Sequence, residues 1–319
     1  MHYRRLGRSG LKVSEISLGA WITFGGQLDQ PAVTELIHAA YDHGINFFDN
    51  ADMYATGQAE VMMGKAIRDL PREALVISSK VFWPTMPGIN GRGLSRKHIT
   101  ESINASLRRL GTDYLDLYYC QRYDPDTPVE ELVWTMNDLI RRGQILYWGT
   151  CEWESWQVSQ AIGAARQLNL IGPSMEQPMY NLFFRRRVEV ELSPLCREYG
   201  LGLTTYSPLF NGILSGKYND GIPAVSRASQ PDQSWMLDCI TPDRIATTRQ
   251  FTALAGTLGL TTAQLAIAWI LRRKEVASVI TGATRVEQLD ENIDASEYVN
   301  RLTDEVLEQI EQIAGNLPE

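Results

Sequence analysis

Ile45-Asn46-Phe47-Phe48-Asp49-Asn50-Ala51-Asp52-Met53-Tyr54 is the stretch that decides how this chain is read. A short apolar run ends on a carboxylate and a phenol follows five positions later, the pattern of a buried parallel strand opening into a loop that carries chemistry. The run Leu75-Val76-Ile77-Ser78-Ser79 ends in the same way on Lys80. If the two strands are parallel neighbours, an acid, a phenol and an ammonium meet at one rim.

Outward from this pair the same rhythm recurs. Short apolar runs over 16–20, 45–49, 75–80, 114–120, 145–149, 174–177, 203–207 and 278–281 alternate with longer amphipathic segments. Ser95 precedes Ile99, Ile103, Leu107 and Leu110, which keep one helical face. Thr127, Pro128 and Glu130 read as a capping box with proline at the first helical position, leading Leu132, Met136, Leu139 and Ile140 inward. Asp29, Glu154 and Thr262 open further helices. Eight strand–helix alternations predict an α/β fold, a closed (β/α)8 TIM barrel, with residues 1–319 as one domain. Residues 2–14 alternate around Gly7-Arg8-Ser9-Gly10 and predict a hairpin that serves as lid or plug. A long loop after the seventh strand is marked by Pro208, Gly212, Gly216, Gly221, Pro223, Pro231 and Pro242 before helix resumes near Arg244; loops of this length are usually functional. Residues 302–313 add an extra C-terminal helix.

The chain has 319 residues, 44% hydrophobic and 21% charged, with a net charge of -8. That balance suits a globular protein and argues against a nucleic-acid binder, whose footprint would be basic. No apolar leader and no run of eighteen apolar residues is present, so a cytoplasmic chain without membrane insertion is expected. Cys120, Cys151, Cys196 and Cys239 are far apart and read as free thiols. His2, His38, His43 and His98 lack metal-ligand spacing, so no metal is expected. Trp134, Trp148, Trp153, Trp156, Trp235 and Trp269 read as packing residues, and Arg185-Arg186-Arg187 as a solvated face.

In a barrel of this kind function lies at the carboxyl ends of the strands. Asp49, Lys80 and Gln121 follow the second, third and fourth. A tyrosine titrates near 10, so Tyr54 needs a nearby cation before it works as an acid–base group at neutral pH. Lys80 could supply it, with Asp49 holding the ammonium in place. The alternative, a turn-capping Asp49, a packing Tyr54 and a solvated Lys80, is level with this on spacing alone. Thr281-Gly282-Ala283-Thr284-Arg285 runs from the eighth strand into a helix start, where free N–H groups favour an anion such as a 2′-phosphate. A plain turn beside an exposed arginine is the simpler account of those residues by themselves.

The segments 44–54, Ser79-Lys80 and Tyr206-Ser207-Pro208-Leu209 resemble the aldo-keto reductase superfamily. Trp21-Ile22-Thr23-Phe24-Gly25-Gly26, Arg92-Gly93-Leu94-Ser95-Arg96-Lys97-His98, Tyr147-Trp148-Gly149-Thr150, Ser215-Gly216-Lys217-Tyr218 and Leu265-Ala266-Ile267-Ala268-Trp269 resemble more closely the β-subunits of voltage-gated potassium channels and their bacterial relatives. The resemblance runs from Tyr3 to Pro318. It implies a (β/α)8 barrel that uses NADP(H), with Tyr54 as general acid, Lys80 its partner and Asp49 the partner of Lys80. Gln177 would orient the nicotinamide and Tyr206 stack on it, with Trp21 lining the substrate side. Ser207, Leu209, Asn211 and Lys217 would follow the pyrophosphate and Arg227 close over it. Gly282, Thr284, Arg285, Gln288, Glu291 and Asn292 would hold the adenosine end, and Gln27, Asp49 and Pro208 would complete the cofactor contacts.

The chain departs from that pattern in two places. Gln121 stands where the superfamily has histidine and the channel subunits asparagine; an amide can orient a carbonyl but cannot titrate near neutral pH. Cys151-Glu152 stands where relatives usually carry serine and then arginine or another residue, which weakens one bond to the nicotinamide and adds negative charge near the rim. The expected function is hydride transfer between NADPH and a small carbonyl or alcohol substrate. The alternatives are a cofactor-binding, redox-sensing regulatory subunit with slow turnover, or a retained hydride centre used for a different net reaction. The resemblance leaves monomer and homo-oligomer both open.

Overall fold

The N-terminal hairpin, β1 (Tyr3–Arg5) and β2 (Lys12–Ser14), pairs antiparallel outside the main sheet. It closes the amino-terminal end of the barrel as a plug: Leu6 and Val13 are fully buried against Phe47, Val76, Leu117 and Ala277. Arg4 pins it there by donating to the carbonyls of Leu271, Arg273 and Val276, where a helix ends and free carbonyls need donors. The computed structural model describes residues 1–224, 226–230 and 233–315; Pro231 of the long loop and Pro318 at the end of the resemblance lie outside the described residues.

Eight parallel strands follow: β3 (Ile16–Gly19), β4 (Phe47–Asp49), β5 (Val76–Val81), β6 (Leu115–Cys120), β7 (Ile145–Cys151), β8 (Met175–Gln177), β9 (Gly202–Thr205) and β10 (Val276–Thr281). They close in chain order, with β10 beside β3. The eight-stranded barrel with its hairpin is therefore as the sequence predicted, with ends moved by a residue or two. The strand predicted from Ile45 begins at Phe47, because Asn46 is occupied with the plug, accepting from Ser14 N–H at 2.8 Å and donating to Lys12 O at 3.1 Å.

Alternation along each strand sorts the side chains into two sets. Phe48, Ile77, Tyr118, Trp148 and Leu203 face outward into the shell of helices, while Phe47, Val76, Leu117, Tyr119 and Met175 fill the interior. The helices carry the expected start signals at Asp29 and Ser95, whose side chains accept from Ala32 N–H and His98 N–H. Glu154 also opens its helix, with Gln157 reaching back to its N–H. Two caps differ. Thr261, not Thr262, makes the reciprocal bond with Gln264. Thr127 caps nothing: its hydroxyl donates to Asp124 at 2.8 Å, and the helix Val129–Arg141 starts after Pro128 with no side-chain cap.

Between β9 and β10 lie the long loop, which includes the short helix Met236–Cys239, and the helices Pro242–Thr257 and Thr262–Leu271; the extra C-terminal helix is Asp304–Ala314. Of the tryptophans read as packing residues, Trp148, Trp153 and Trp269 are buried, whereas Trp134, Trp156 and Trp235 are exposed. The arginine triplet is not a solvated face. Arg185 is buried, held by Glu189 at 2.9 Å and by Glu311 of the C-terminal helix at 2.6 Å, and only Arg186 is open to solvent.

Candidate active site

Asp49 and Lys80 end neighbouring strands on their inward faces, and their charges meet directly. Lys80 Nζ donates to Asp49 Oδ2 at 2.6 Å and to Asn50 O at 2.7 Å. Asp49 Oδ1 accepts from Ser78 Oγ at 2.7 Å and from Gln177 Nε2, across the barrel, at 3.0 Å. Lys80 is 0% and Asp49 3% exposed. A pair so deeply buried is tolerated when each charge is matched and further hydrogen bonds support it; here Asp49 takes two more donors and Lys80 one more acceptor.

Tyr54 follows in the loop after β4, half-buried, with Lys80 Nζ 5.0 Å from its ring centroid. The chain turns sharply beyond it: Ala55, Thr56 and Gly57 have φ of 46°, 56° and 85°. Two side-chain-bearing residues in the left-handed region are strained, and such strain persists only where the surroundings enforce it. Gly57 is required there, since an added Cβ would lie 2.9 Å from the side chain of Arg109. Lys80 does not bring the phenol towards neutrality as expected. Burial, then the Asp49 carboxylate, push Tyr54 well above the usual tyrosine range. The ammonium is already matched by Asp49, so the phenol keeps its proton and is poised as a donor. Behind it Asp52 is buried with one oxygen unpartnered and the other 2.5 Å from Ser102 Oγ; burial raises its carboxyl to about 7.

Gln121 follows β6 and is 7% exposed, with Oε1 lacking a hydrogen-bond partner. Cys151 ends β7 facing inward, its Sγ 4.0 Å from Gln177 Oε1; burial, then Glu176, raise its thiol, which stays protonated. Glu152 does not leave a free negative charge at the rim: it accepts from Met179 N–H at 2.6 Å and pairs with Arg187 at 2.9 Å. One residue escaped the sequence reading. Arg122 Nη1 donates to Gln121 O at 2.6 Å and reaches within 3.9 Å of Cys151 Sγ, which brings its guanidinium to the barrel mouth. Its position directly after Gln121, at a strand end, was the available signal.

A second group gathers in the loop after β9. Tyr206 is half-buried, Pro208 is buried, and Leu209 packs on the core. Ser207, Phe210 and Asn211 take left-handed backbone at φ of 53°, 41° and 59°. Gly212 allows Lys217 to approach, since a Cβ there would sit 2.7 Å from the ammonium. Arg227 Nη1 lies 3.5 Å from Asn211 Oδ1. Lys217 is exposed overall, yet loss of water around its ammonium and then the neighbouring Arg227 lower its pKa, and burial lowers that of Arg227. Among the described residues neither cation has a carboxylate within ion-pair distance. Two adjacent cations on a strained, glycine-bearing loop have the chemistry that a pyrophosphate requires.

The third group is at the end of β10. Gly282 is exposed, and Thr284 donates through N–H and Oγ1 to Gln288 Oε1 at 2.9 and 3.1 Å. Arg285 stands at the start of the helix Val286–Asp294 with an exposed side chain, 3.9 Å from Glu287. Asn292 is buried and Glu291 half-exposed on that helix. Trp21, 41% exposed, and half-exposed Gln27 lie on the loop after β3.

A sequence profile described as the aldo/keto reductase family matches residues 15–314. Over 322 residues the chain is 49% identical to a protein of Arabidopsis thaliana named "Probable voltage-gated potassium channel subunit beta", covering 100% of this chain and 98% of that one. A protein of Oryza sativa subsp. japonica with the same name is 48% identical over the same shares. No single helix among the described residues is long and apolar enough to cross a membrane. With the profile spanning nearly the whole barrel and two relatives matching it end to end, the chain belongs to the aldo/keto reductase family, a family of oxidoreductases.

Proposed function

We propose that this protein is an NADPH-dependent carbonyl reductase in which Tyr54 delivers the proton. The observation that carries this reading is the buried Asp49–Lys80 pair set beneath the Tyr54 ring, at the carboxyl ends of adjacent strands. The dinucleotide, when bound, supplies the hydride. The residues fit it: Lys217 and Arg227 offer uncompensated charge for the pyrophosphate, and Arg285 an exposed guanidinium for the 2′-phosphate. Tyr206 serves as the platform for the nicotinamide, Gln177 and Cys151 line its edge, and Asn211, Gln288 and Asn292 add polar contacts along the dinucleotide.

Lys80 and Asp49 hold the floor of the site rigid and its net charge near zero, so the phenol meets the carbonyl oxygen as a neutral donor. Gln121 orients the same oxygen through its amide, whose N and O ends are interchangeable by rotation. Lacking a titrating imidazole, the site depends on Tyr54 alone for the proton. This reading also assigns residues 1–319 to one reductase domain in a reducing, cytoplasmic compartment, which suits four free thiols.

The test is reduction of a reactive aromatic aldehyde by parent and Tyr54→Phe, followed as loss of NADPH absorbance. General acid catalysis is typically worth about a hundred- to ten-thousand-fold, and turnover should fall by that much while NADPH affinity stays near the parent value. Near-parental turnover in the phenylalanine variant would move the acid elsewhere. The names of the curated relatives favour a second reading, a cofactor-binding regulatory subunit. Repeated turnover with free exchange of NADP+ supports the enzyme; a single turnover that ends with the oxidised cofactor retained supports the subunit.

A further inference from the structure

Two arginines gather on one side of the barrel mouth although the chain carries a net charge of -8. Arg122 and Arg92 both approach the ring of Trp83, in the loop after β5, at 5.8 and 5.4 Å from its centroid. Arg122 is half-buried. Its Nη1 is used by Gln121 O at 2.6 Å, and the rest of its donors have no hydrogen-bond partner among the described residues. The acids that could have neutralised this corner are engaged elsewhere. Glu152 is held by Arg187 and Met179 N–H, and Asp124 accepts from Leu94 N–H, Asp126 N–H and Thr127 Oγ1.

The guanidinium also looks into the site rather than away from it. It lies 3.9 Å from Cys151 Sγ, an inward-facing atom at the end of β7, and its charge reaches both the Tyr54 and Tyr206 phenols, whose proton affinity it lowers against the dominant effect of burial. A planar fork whose remaining donors have no partner among the described residues and stay open to solvent suits the two oxygens of a carboxylate.

We infer that Arg122 is a specificity-determining residue that selects carbonyl substrates bearing an anionic group, in the simplest case an aldehyde with a carboxylate, with Arg92 adding to the attraction at the entrance. This rests on the reductase reading above and names its substrate class. The net reaction is unchanged: hydride goes to the carbonyl carbon and the Tyr54 proton to its oxygen, and Tyr54 regains a proton from solvent, giving NADP+ and a hydroxy acid from NADPH, a proton and an oxo acid. The backbone carbonyl of Gln121 accepts from Arg122, so the residue whose amide orients the C=O is tied to the group that holds the anion.

The experiment compares 4-carboxybenzaldehyde with its neutral methyl ester, using NADPH and the full-length protein; the ester is the more electrophilic aldehyde, so a preference for the acid runs against intrinsic reactivity. The parent should show the higher kcat/KM for the acid, and the preference should shrink as ionic strength rises. Arg122→Gln should lower the acid-to-ester ratio about ten- to a hundredfold, and Arg122→Lys should retain part of it. If Arg122 only straps the Gln121 backbone, both substrates lose together and the ratio holds, which overturns the inference. A parent without acid preference, or with one indifferent to salt, overturns it too, and that measurement needs no variant to fold. Binding separates this inference from the reductase reading: quenching of tryptophan fluorescence by 4-carboxybenzyl alcohol reports the anion site without turnover. If neither aldehyde is reduced but quenching is lost in Arg122→Gln, the reductase reading falls and the anion site stands. If both aldehydes are reduced and quenching is equal in parent and variant, the reverse holds.

Discussion

Two regions of this molecule handle charge in opposite ways. At the ends of β4 and β5, Asp49 and Lys80 cancel each other within 2.6 Å, and Ser78, Gln177 and Asn50 O add further hydrogen bonds to the pair. In the loop after β9, burial of its ammonium and then the neighbouring Arg227 depress Lys217, and neither cation has a carboxylate within ion-pair distance among the described residues. The first region is completed by folding and built on strands. The second keeps its charge uncompensated on a strained loop. A barrel can afford such a loop because its own stability comes from elsewhere, which is how one scaffold keeps a rigid chemical centre and an open anion site together.

The sharpest way to break this contrast is Lys80→Met. It leaves Asp49 as an uncompensated buried charge, and removal of one partner of such a pair typically costs about 3–5 kcal/mol. Chemical denaturation should show that loss, and Asp49→Asn added to it should recover a large part. If Lys80→Met matches the parent, the pair is not the fixed floor described above.

Asp52 supplies a smaller, pH-dependent effect from a buried acid without a cation of its own. Its carboxyl sits at about 7 in the fold against an ordinary 3.8. Below pH 4 both folded and unfolded chains hold the proton and the contribution to stability is complete. As pH rises towards 7 the unfolded chain releases the proton while the folded one retains it, so stability declines; above 7 the decline ends. Asp52→Asn should flatten that part of the profile and gain most over the parent near pH 8. A parent whose stability does not fall between pH 4 and 7 any faster than that of the variant would place the titration elsewhere.

Lys217→Met inverts the Lys80 result. Little packing or bonding depends on Lys217, so stability should stay within about 0.5 kcal/mol, as for ordinary surface substitutions. NADPH binding should weaken about tenfold through loss of one charge-assisted contact. Calorimetric titration with NADPH beside a denaturation curve tests both halves. A destabilised variant with unaltered affinity would erase the distinction between the two regions.

The completed region was the more legible of the two in the sequence. Asp49 and Lys80 each close an apolar run, and parallel pairing of successive strands brings such ends together by topology alone. Gln177 reaches Asp49 from the opposite wall, 128 residues away, and no local pattern announces that bond. Arg185 looked solvated because its partner Glu311 lies on the C-terminal helix, and Thr127 looked like a cap because Asp124 competes for its hydroxyl only in three dimensions. Lys217 and Arg227 by themselves read as ordinary loop charges, and Arg122 carries no reading at all. What sets them apart is that no acid among the described residues pairs with them, a property of space and not of spacing. Gln121 was legible as a departure, but the effect of an amide there depends on a substrate that loops choose.

Arg285 gives the smallest expected effect and tests whether the open style of charge handling extends to the far end of the cofactor. Its guanidinium is exposed at the start of the helix Val286–Asp294, and Glu287, 3.9 Å away and itself exposed, competes weakly for it. An exposed ion pair contributes at most about 1 kcal/mol, so a 2′-phosphate gains little more from Arg285 than solvent allows, with the helix start adding a modest share. NADPH affinity should therefore fall about three- to tenfold in Arg285→Ala, while NADH, which lacks the 2′-phosphate, binds as to the parent. The ratio of the two dissociation constants isolates this contact from everything the cofactors share, including Lys217 and Arg227. A ratio that stays constant would mean that Thr284 and Gln288, already bonded to each other, form the 2′-phosphate site without the arginine. Equal affinities for NADPH and NADH in the parent would go further and leave the uncompensated loop after β9 as the sole anion site for the dinucleotide.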